Sequence, residues 1–266
     1  AAKADAAPGC DFVLYLGDNI YMGGVESPDD PQLHDKFEAP YADLDLPFHV
    51  VLGNHDYGER SLDRDRAAAQ VAYAARSDKW SMPDRYYAFS AGPARFFALD
   101  TNALMLAPLW GDDGQGAWLS RETGAATEPW RVAFGHHPLR SNGQHGNAGA
   151  YEGQAWLPIA NGAALADFFE AHVCGQVDIY LSGHDHNRQW LEPHCGVELV
   201  VSGAAAKTTP LVGRGAGSRF ADDTRAGFAW IALDGDVLTG EFYDQDGRLD
   251  YRTQVARRPR GTNPAP

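Results

Sequence analysis

The 266-residue sequence predicts an α/β fold. Three observations carry that prediction. Short, nearly continuous apolar runs read as strands buried on both faces, as in parallel sheets. Ala-rich, charged stretches with helical character lie between the early runs. Toward the C-terminus the runs give way to segments that alternate apolar and polar residues and pair as hairpins.

Residues 1–7 read as the tail of a helix, and residues 12–16 as the first buried strand. That strand ends in Gly17-Asp18-Asn19-Ile20-Tyr21, and residues 23–31 follow as a loop rich in Gly, Pro and Asp. Residues 48–52 form the second buried strand, ending in Gly53-Asn54-His55-Asp56. Residues 62–76 read as helix. Residues 86–90 and 95–99 form a hairpin around Ala91-Gly92-Pro93. A short helix at 116–123 precedes a strand at 131–134, which ends in Gly135-His136-His137-Pro138. Residues 141–153 are a polar, Gly-rich loop containing His145, and Asn161 caps a helix running to about His172. The apolar run 177–181 leads into Ser182-Gly183-His184-Asp185-His186-Asn187, and 197–201 is the next strand. Residues 207–223 read as a long loop. Residues 228–233 and 237–243 form a hairpin across Asp234-Gly235-Asp236, and 248–255 adds one more strand. Residues 258–266, rich in Pro and Gly, read as a disordered tail.

Composition narrows the function. With 44% hydrophobic residues and no visible linker, residues 1–257 read as one large domain. A net charge of -14 argues against non-specific nucleic-acid binding. No apolar run approaches membrane-spanning length, so no membrane partner is expected. Of the three cysteines, Cys174 and Cys195 flank the 177–181 strand and could pair, leaving Cys10 free. Three reduced cysteines packed as small hydrophobes is the equal alternative. Without a C-x-x-C pair, a structural zinc knuckle is not expected.

Four predicted strands end in a glycine followed at once by candidate metal ligands. These are Asp18 and Tyr21, Asn54 and His55, His136 and His137, and His184 and His186. Ligands of open α/β sheets bind at the carboxyl ends of strands, so four such ends on one edge would share a cleft. Carboxylate, phenolate, carboxamide and imidazole together suit two hard or borderline metals better than one closed structural zinc. Each residue alone has a plainer explanation: Asp18 or Asn54 as a turn residue or helix cap, the histidines as satisfied loop imidazoles. Four independent loops of the same strand–Gly–ligand form favour the metal reading.

Taken in order, G-D-x-x-Y, G-N-H-D, G-H-x-P and G-H-D-H resemble the calcineurin-like metallophosphoesterases. Within them the sequence is most similar to the purple acid phosphatase branch, especially its small, tartrate-resistant type. The resemblance spans residues 11–203 and includes 69–80 and 97–101. Tyr21 is the discriminating residue, since the purple enzymes use a tyrosine there as a phenolate ligand to ferric iron. The resemblance implies that Asp18 bridges two metals and that Tyr21 and His186 bind Fe(III). It implies that Asn54, His136 and His184 bind the second, divalent ion, which is Fe(II), Zn or Mn. His55 would contact the substrate phosphate and help the leaving group. His145, in Gln144-His145-Gly146, resembles the second active-site histidine, with an exposed loop histidine as its alternative. The family also begins with a strand ending in D-x-G, about 30 residues with its helix, whose Asp is the remaining ferric ligand. No such strand precedes Asp11, so the sequence is read as starting inside that domain, the alternative being a protein that lacks that ligand and that core strand.

The implied fold is a four-layer α/β/β/α sandwich with two mixed sheets and a dinuclear metal site at the strand carboxyl ends. The implied reaction is hydrolysis of a phosphate monoester, on a small molecule or a larger phosphorylated substrate. A metal-bound hydroxide would attack phosphorus in line, at acidic pH. A phosphodiesterase or nucleotide pyrophosphatase sharing the metal core is one rival. A non-catalytic phosphate-binding homologue is another. A nucleophilic-serine hydrolase is set aside because G-x-S-x-G is absent. The cysteine pair and the family's habits point to an exported protein.

Overall fold

The computed structural model describes residues 9–153 and 160–258. The predicted helix end at 1–7 lies outside them, as does the predicted tail beyond Arg258. The strands are β1 (Val13–Tyr15), β2 (Phe48–Val50), β3 (Trp80–Ser81), β4 (Tyr87–Ala91), β5 (Ala94–Ala98), β6 (Trp130–Phe134) and β7 (Ile179–Ser182). They continue with β8 (Arg188–Leu191), β9 (Glu198–Ser202), β10 (Ser218–Asp222), β11 (Gly227–Asp234), β12 (Val237–Asp244) and β13 (Leu249–Ala256).

A seven-stranded mixed sheet, ordered β10-β8-β9-β7-β6-β5-β4, is the backbone of the fold. Its centre is parallel, β5 to β6, β6 to β7 and β7 to β9, with β4 and β8 reversed. Successive residues of its strands point to opposite faces, and both faces are apolar. Phe96, Val132, Phe134, Ile179, Leu181, Trp190 and Val200 pack with Phe48, Val50, Trp80, Leu238 and Phe242 from the other strands. On the opposite face, Phe97, Ala133, Tyr180, Leu199 and Val201 pack with Leu104, Leu119, Leu165 and Phe169 of three helical segments. Those segments are Thr101–Met105, Gln115–Ala125 and Ala163–Phe168, the last continuing as wider turns through Phe169–Val173. Leu33 and Phe37, with Ala67, Ala69 and Tyr73 of the helix Arg64–Tyr73, cover the far side of β1–β3. The α/β/β/α layering is therefore as expected. The second β layer is divided, however, into a parallel sheet β1-β2-β3 and an antiparallel meander β11-β12-β13.

Four local expectations need correction. The first strand is not buried on both faces: β1 is an edge strand whose three residues are all half-buried. Residues 207–223 are not all loop, because Ser218–Asp222 forms β10 against β8. Its residues are half-exposed to exposed and only Phe220 and Ala221 are apolar, so no apolar run announces this edge strand. Strand β8 was hidden by Arg188 and Gln189, which read as surface residues yet are fully buried. Arg188 is matched there by Asp222 at 2.6 Å and Asp250 at 2.8 Å. Asn161 is not the cap of its helix, a position taken by Gly162; from one residue earlier its Oδ1 accepts from the Ala163 amide at 2.9 Å. Of the two cysteine readings the bonded one is found: Cys174 and Cys195 form a disulfide, and Cys10 is free.

Candidate metal centre

Two pairs of neighbouring parallel strands deliver the site. β1 and β2 end in the Asp18 and Asn54 loops, while β6 and β7 end in the His136 and His184 loops. The two sheets touch here. The Leu16 carbonyl, just past β1, accepts from His136 Nδ1 at 2.8 Å, and within the larger sheet the Gly183 amide donates to the His136 carbonyl at 3.0 Å. Close approach is why Gly53 ends β2: a Cβ there would lie 2.3 Å from both the amide nitrogen and Oδ1 of Asp18. Asp18 and His184 hold positive φ angles of 54° and 65°, which cost a non-glycine residue about 1–3 kcal/mol each. Both are among the expected ligands, so the fold accepts strain where side chains must converge.

The donor atoms meet around Asp18. Its Oδ2 accepts from Tyr21 Oη at 2.9 Å and lies 3.2 Å from His136 Nε2. Tyr21 Oη is 3.0 Å from His186 Nε2, and His136 Nε2 is 3.1 Å from His184 Nδ1. Two donor groups thus share one carboxylate oxygen, Tyr21 with His186 on one side and His136 with His184 on the other. Asn54 Oδ1 is buried and has no hydrogen-bond partner among the described residues. An unpaired buried amide oxygen is costly, and a cation beside it removes that cost. The residues present therefore fit a pair of metal ions.

The electrostatics of the cluster follow from the same packing. Burial opposes ionisation of Asp18, but His136 and His55 together hold its carboxyl below the usual carboxylate range. Burial pushes His136 toward neutrality, yet Asp18 prevails and raises its pKa. Burial, then the neighbouring imidazoles, lowers His137 and His184 well below the ordinary value. Burial and then Lys207 bring His186 down to about 4. Burial and then Asp18 raise the Tyr21 phenol. The carboxylate at the centre attracts positive charge, while the outer imidazoles rest in the neutral form that ligates metals.

His55 is partly exposed. Its amide donates to Asp18 Oδ1 at 2.9 Å, its Nδ1 lies 2.7 Å from the Met22 carbonyl, and its ring is 4.5 Å from that of Tyr21. His145 also reaches the site, its ring centroid 4.0 Å from that of His184. The eight residues to which the resemblance gives a role thus gather at one end of the two sheets. His137 is close too: it, His136 and His184 present ligand atoms within 4.8 Å of one another. Its Nδ1 is engaged by Thr101 Oγ1 at 2.9 Å.

Sequence reasoning missed the residues behind the ligands. Asp56, fully buried, accepts from the amides of Gly53 at 2.8 Å, Asn19 at 3.0 Å and Ile20 at 3.2 Å, and from Gln70 Nε2 at 2.8 Å. It ties the Asp18 loop to the Asn54 loop. Thr101 Oγ1 accepts from the amides of His136 at 3.2 Å and His137 at 3.0 Å. Asp100 fixes Thr101 by capping its helix, accepting from the Ala103 amide at 3.0 Å. Asp185, buried between His184 and His186, accepts from the amides of His145 at 2.9 Å and Gly146 at 3.2 Å. Asp56 and Asp185 stood inside the motifs, but only their distant partners give them a role.

Known proteins place this geometry. Tartrate-resistant acid phosphatase type 5 of Rattus norvegicus is 29% identical over 95% of this chain and 80% of its own length. Purple acid phosphatase 4 of Arabidopsis thaliana is 29% identical over 92% of this chain and 74% of its own. Among solved structures, GAP50, described as the anchor in the inner membrane complex of Plasmodium, superposes with a TM-score of 0.70 at 21% identity. That match covers 94% of this chain and 80% of GAP50. Purple acid phosphatase PPD1 of yellow lupin (Lupinus luteus) gives 0.62 at 19% identity, covering 93% of this chain and 46% of that one. Both are alike in fold. The family profile described as Calcineurin-like phosphoesterase matches residues 2–188, well over half of the chain and all four ligand-bearing loops. This chain belongs to the calcineurin-like phosphoesterase family.

Proposed function

We propose that the chain is an acid-phosphatase-like hydrolase of phosphate monoesters working with two metal ions. The observation that carries this reading is the shared oxygen of Asp18, 2.9 Å from Tyr21 Oη and 3.2 Å from His136 Nε2. Tyr21 and His186 would hold Fe(III), and Asn54, His136 and His184 a divalent Fe, Zn or Mn, with Asp18 between them. The pair would neutralise phosphate charge and acidify a bound water.

The chain's own residues do the rest. His55 and His145 flank the donor cluster on its open side, both partly exposed. From there each can donate to a phosphate oxygen or to the departing alkoxide. Asp56, Thr101 and Asp185 keep the loops from moving apart, so the phosphate meets a fixed frame. The Cys174–Cys195 disulfide supports an exported protein, because such bonds persist in oxidising compartments.

Elemental analysis tests the centre directly. Two metals per chain, one of them iron, are expected, together with a visible band from the Tyr21 phenolate. Tyr21→Phe should remove that band while leaving the fold intact. A wild-type protein with one metal or none, or a band that survives the substitution, overturns the assignment. Hydrolysis of p-nitrophenyl phosphate well above that of bis(p-nitrophenyl) phosphate is expected, and the reverse would favour the phosphodiesterase rival.

A further inference from the structure

We propose that Glu152 is the positioning residue of His145, fixing its ring against His184 so that Nε2 is the nitrogen offered to substrate. The inference rests on the reading of His145 as a group that acts on the phosphate ester.

Three restraints converge on this one histidine. Its amide donates to Asp185 Oδ1 at 2.9 Å. Its carbonyl accepts from the Glu152 amide at 2.9 Å. Its Nδ1 contacts the Glu152 carboxylate, Oε1. The ring then lies over His184 at 4.0 Å, tilted by 32°. Backbone, ring nitrogen and ring face are all engaged, and Nε2 alone has no hydrogen-bond partner among the described residues. A carboxylate on one imidazole nitrogen orients the ring and decides which nitrogen faces the reaction.

Glu152 is itself built into place. Its backbone sits at φ 55°, a conformation a β-carbon disfavours, in a turn closed by Gly153 donating to the Ala150 carbonyl at 3.0 Å. The preceding residue, Tyr151, is buried; its amide donates to the Asn161 carbonyl at 3.1 Å and its hydroxyl to the Pro138 carbonyl. Tyr151 thereby anchors the turn to the loop that carries His136. A half-exposed carboxylate–imidazole pair adds little to stability. Strain at Glu152 beside a buried anchor is better explained by what it does to His145.

The test uses the metal-loaded protein, p-nitrophenyl phosphate as probe, and metal analysis of every variant. Glu152→Ala should lower kcat about 10- to 100-fold, the usual cost of losing a carboxylate that orients an imidazole, with KM within about twofold and both metals retained. Glu152→Asp should recover part of the loss, and isosteric Glu152→Gln should fall between Ala and wild type. Because the two residues act as a unit, His145→Ala/Glu152→Ala should match His145→Ala within about twofold. If Glu152→Ala and Glu152→Gln keep wild-type kcat while His145→Ala is impaired, this inference falls and the role of His145 stands. If His145→Ala is itself as active as wild type, the reading beneath it fails. Metal loss in Glu152→Ala and Glu152→Gln would make the residue structural and also overturn the proposal.

Discussion

The two halves of the candidate metal centre are built by different means. His136, His184 and His186 follow strands β6 and β7 at the middle of the seven-stranded sheet, packed on both faces. Asp18, Tyr21, Asn54 and His55 follow β1 and β2, three-residue strands in a small sheet, β1 being its edge. Packing holds the first half, since apolar surface fixes the strands and the strands fix the loops. The second half is packed too, but its two loops are joined by hydrogen bonds to the single buried carboxylate of Asp56, from three backbone amides and Gln70. A half held by packing tolerates the loss of any one polar contact. A half whose loops converge on one buried carboxylate is more sensitive to losing it.

The largest expected break in this asymmetry is Asp56→Ala. It leaves three amides and the Gln70 side chain without an acceptor, at about 1–3 kcal/mol for each buried group left unpaired. Thermal denaturation should show a destabilisation of about 3 kcal/mol or more, and elemental analysis a loss of bound metal. A variant with wild-type melting and metal content would show that β1 and β2 hold their loops without help.

Thr101→Val probes the packed half. It removes the oxygen that serves His136, His137 and the His137 ring while keeping side-chain volume. Because β6 is anchored on both faces, the fold and both metals should remain, and kcat should fall about 10- to 100-fold as a supporting contact is lost. Metal loss here as severe as in Asp56→Ala would erase the distinction between the halves.

The smallest effect concerns His49 on β2. Its ring stacks on Phe89 at 3.7 Å, and its buried Nδ1 has no hydrogen-bond partner among the described residues. Burial lowers its pKa to about 4, against about 6.5 in the unfolded chain. Between these values the unfolded state binds more protons, so stability is complete above pH 6.5 and declines as pH falls toward 4. Replacing His49 with Phe should flatten this part of the stability profile, measured by urea unfolding across that range. An unchanged slope would assign it to other groups.

How legible this was in the sequence depended on reach. The four ligand loops could be read because strand, glycine and ligand are adjacent residues, and buried parallel strands leave unbroken apolar runs. The layers followed from the same runs. Strands β8 and β10 could not be read, because Arg188 is buried by pairing with carboxylates 34 and 62 residues away. Asp56 is a similar case: its donors Asn19 and Gln70 lie 37 and 14 residues distant. Glu152 looked like one more loop acid, and only the folded loop brings it to His145.

Arg188 carries one further consequence, for the boundaries of the working unit. It is the last residue of the segment matched by the family profile, and its guanidinium is fully buried. Its counter-ions, Asp222 on β10 and Asp250 on β13, come from beyond that segment. A version of this protein trimmed to the matched segment would end at the first residue of β8 and lose both counter-ions together with β9, the parallel neighbour of β7. The C-terminal strands are thus a structural debt of the catalytic half, and gene fusions or domain grafts should carry them through Ala256.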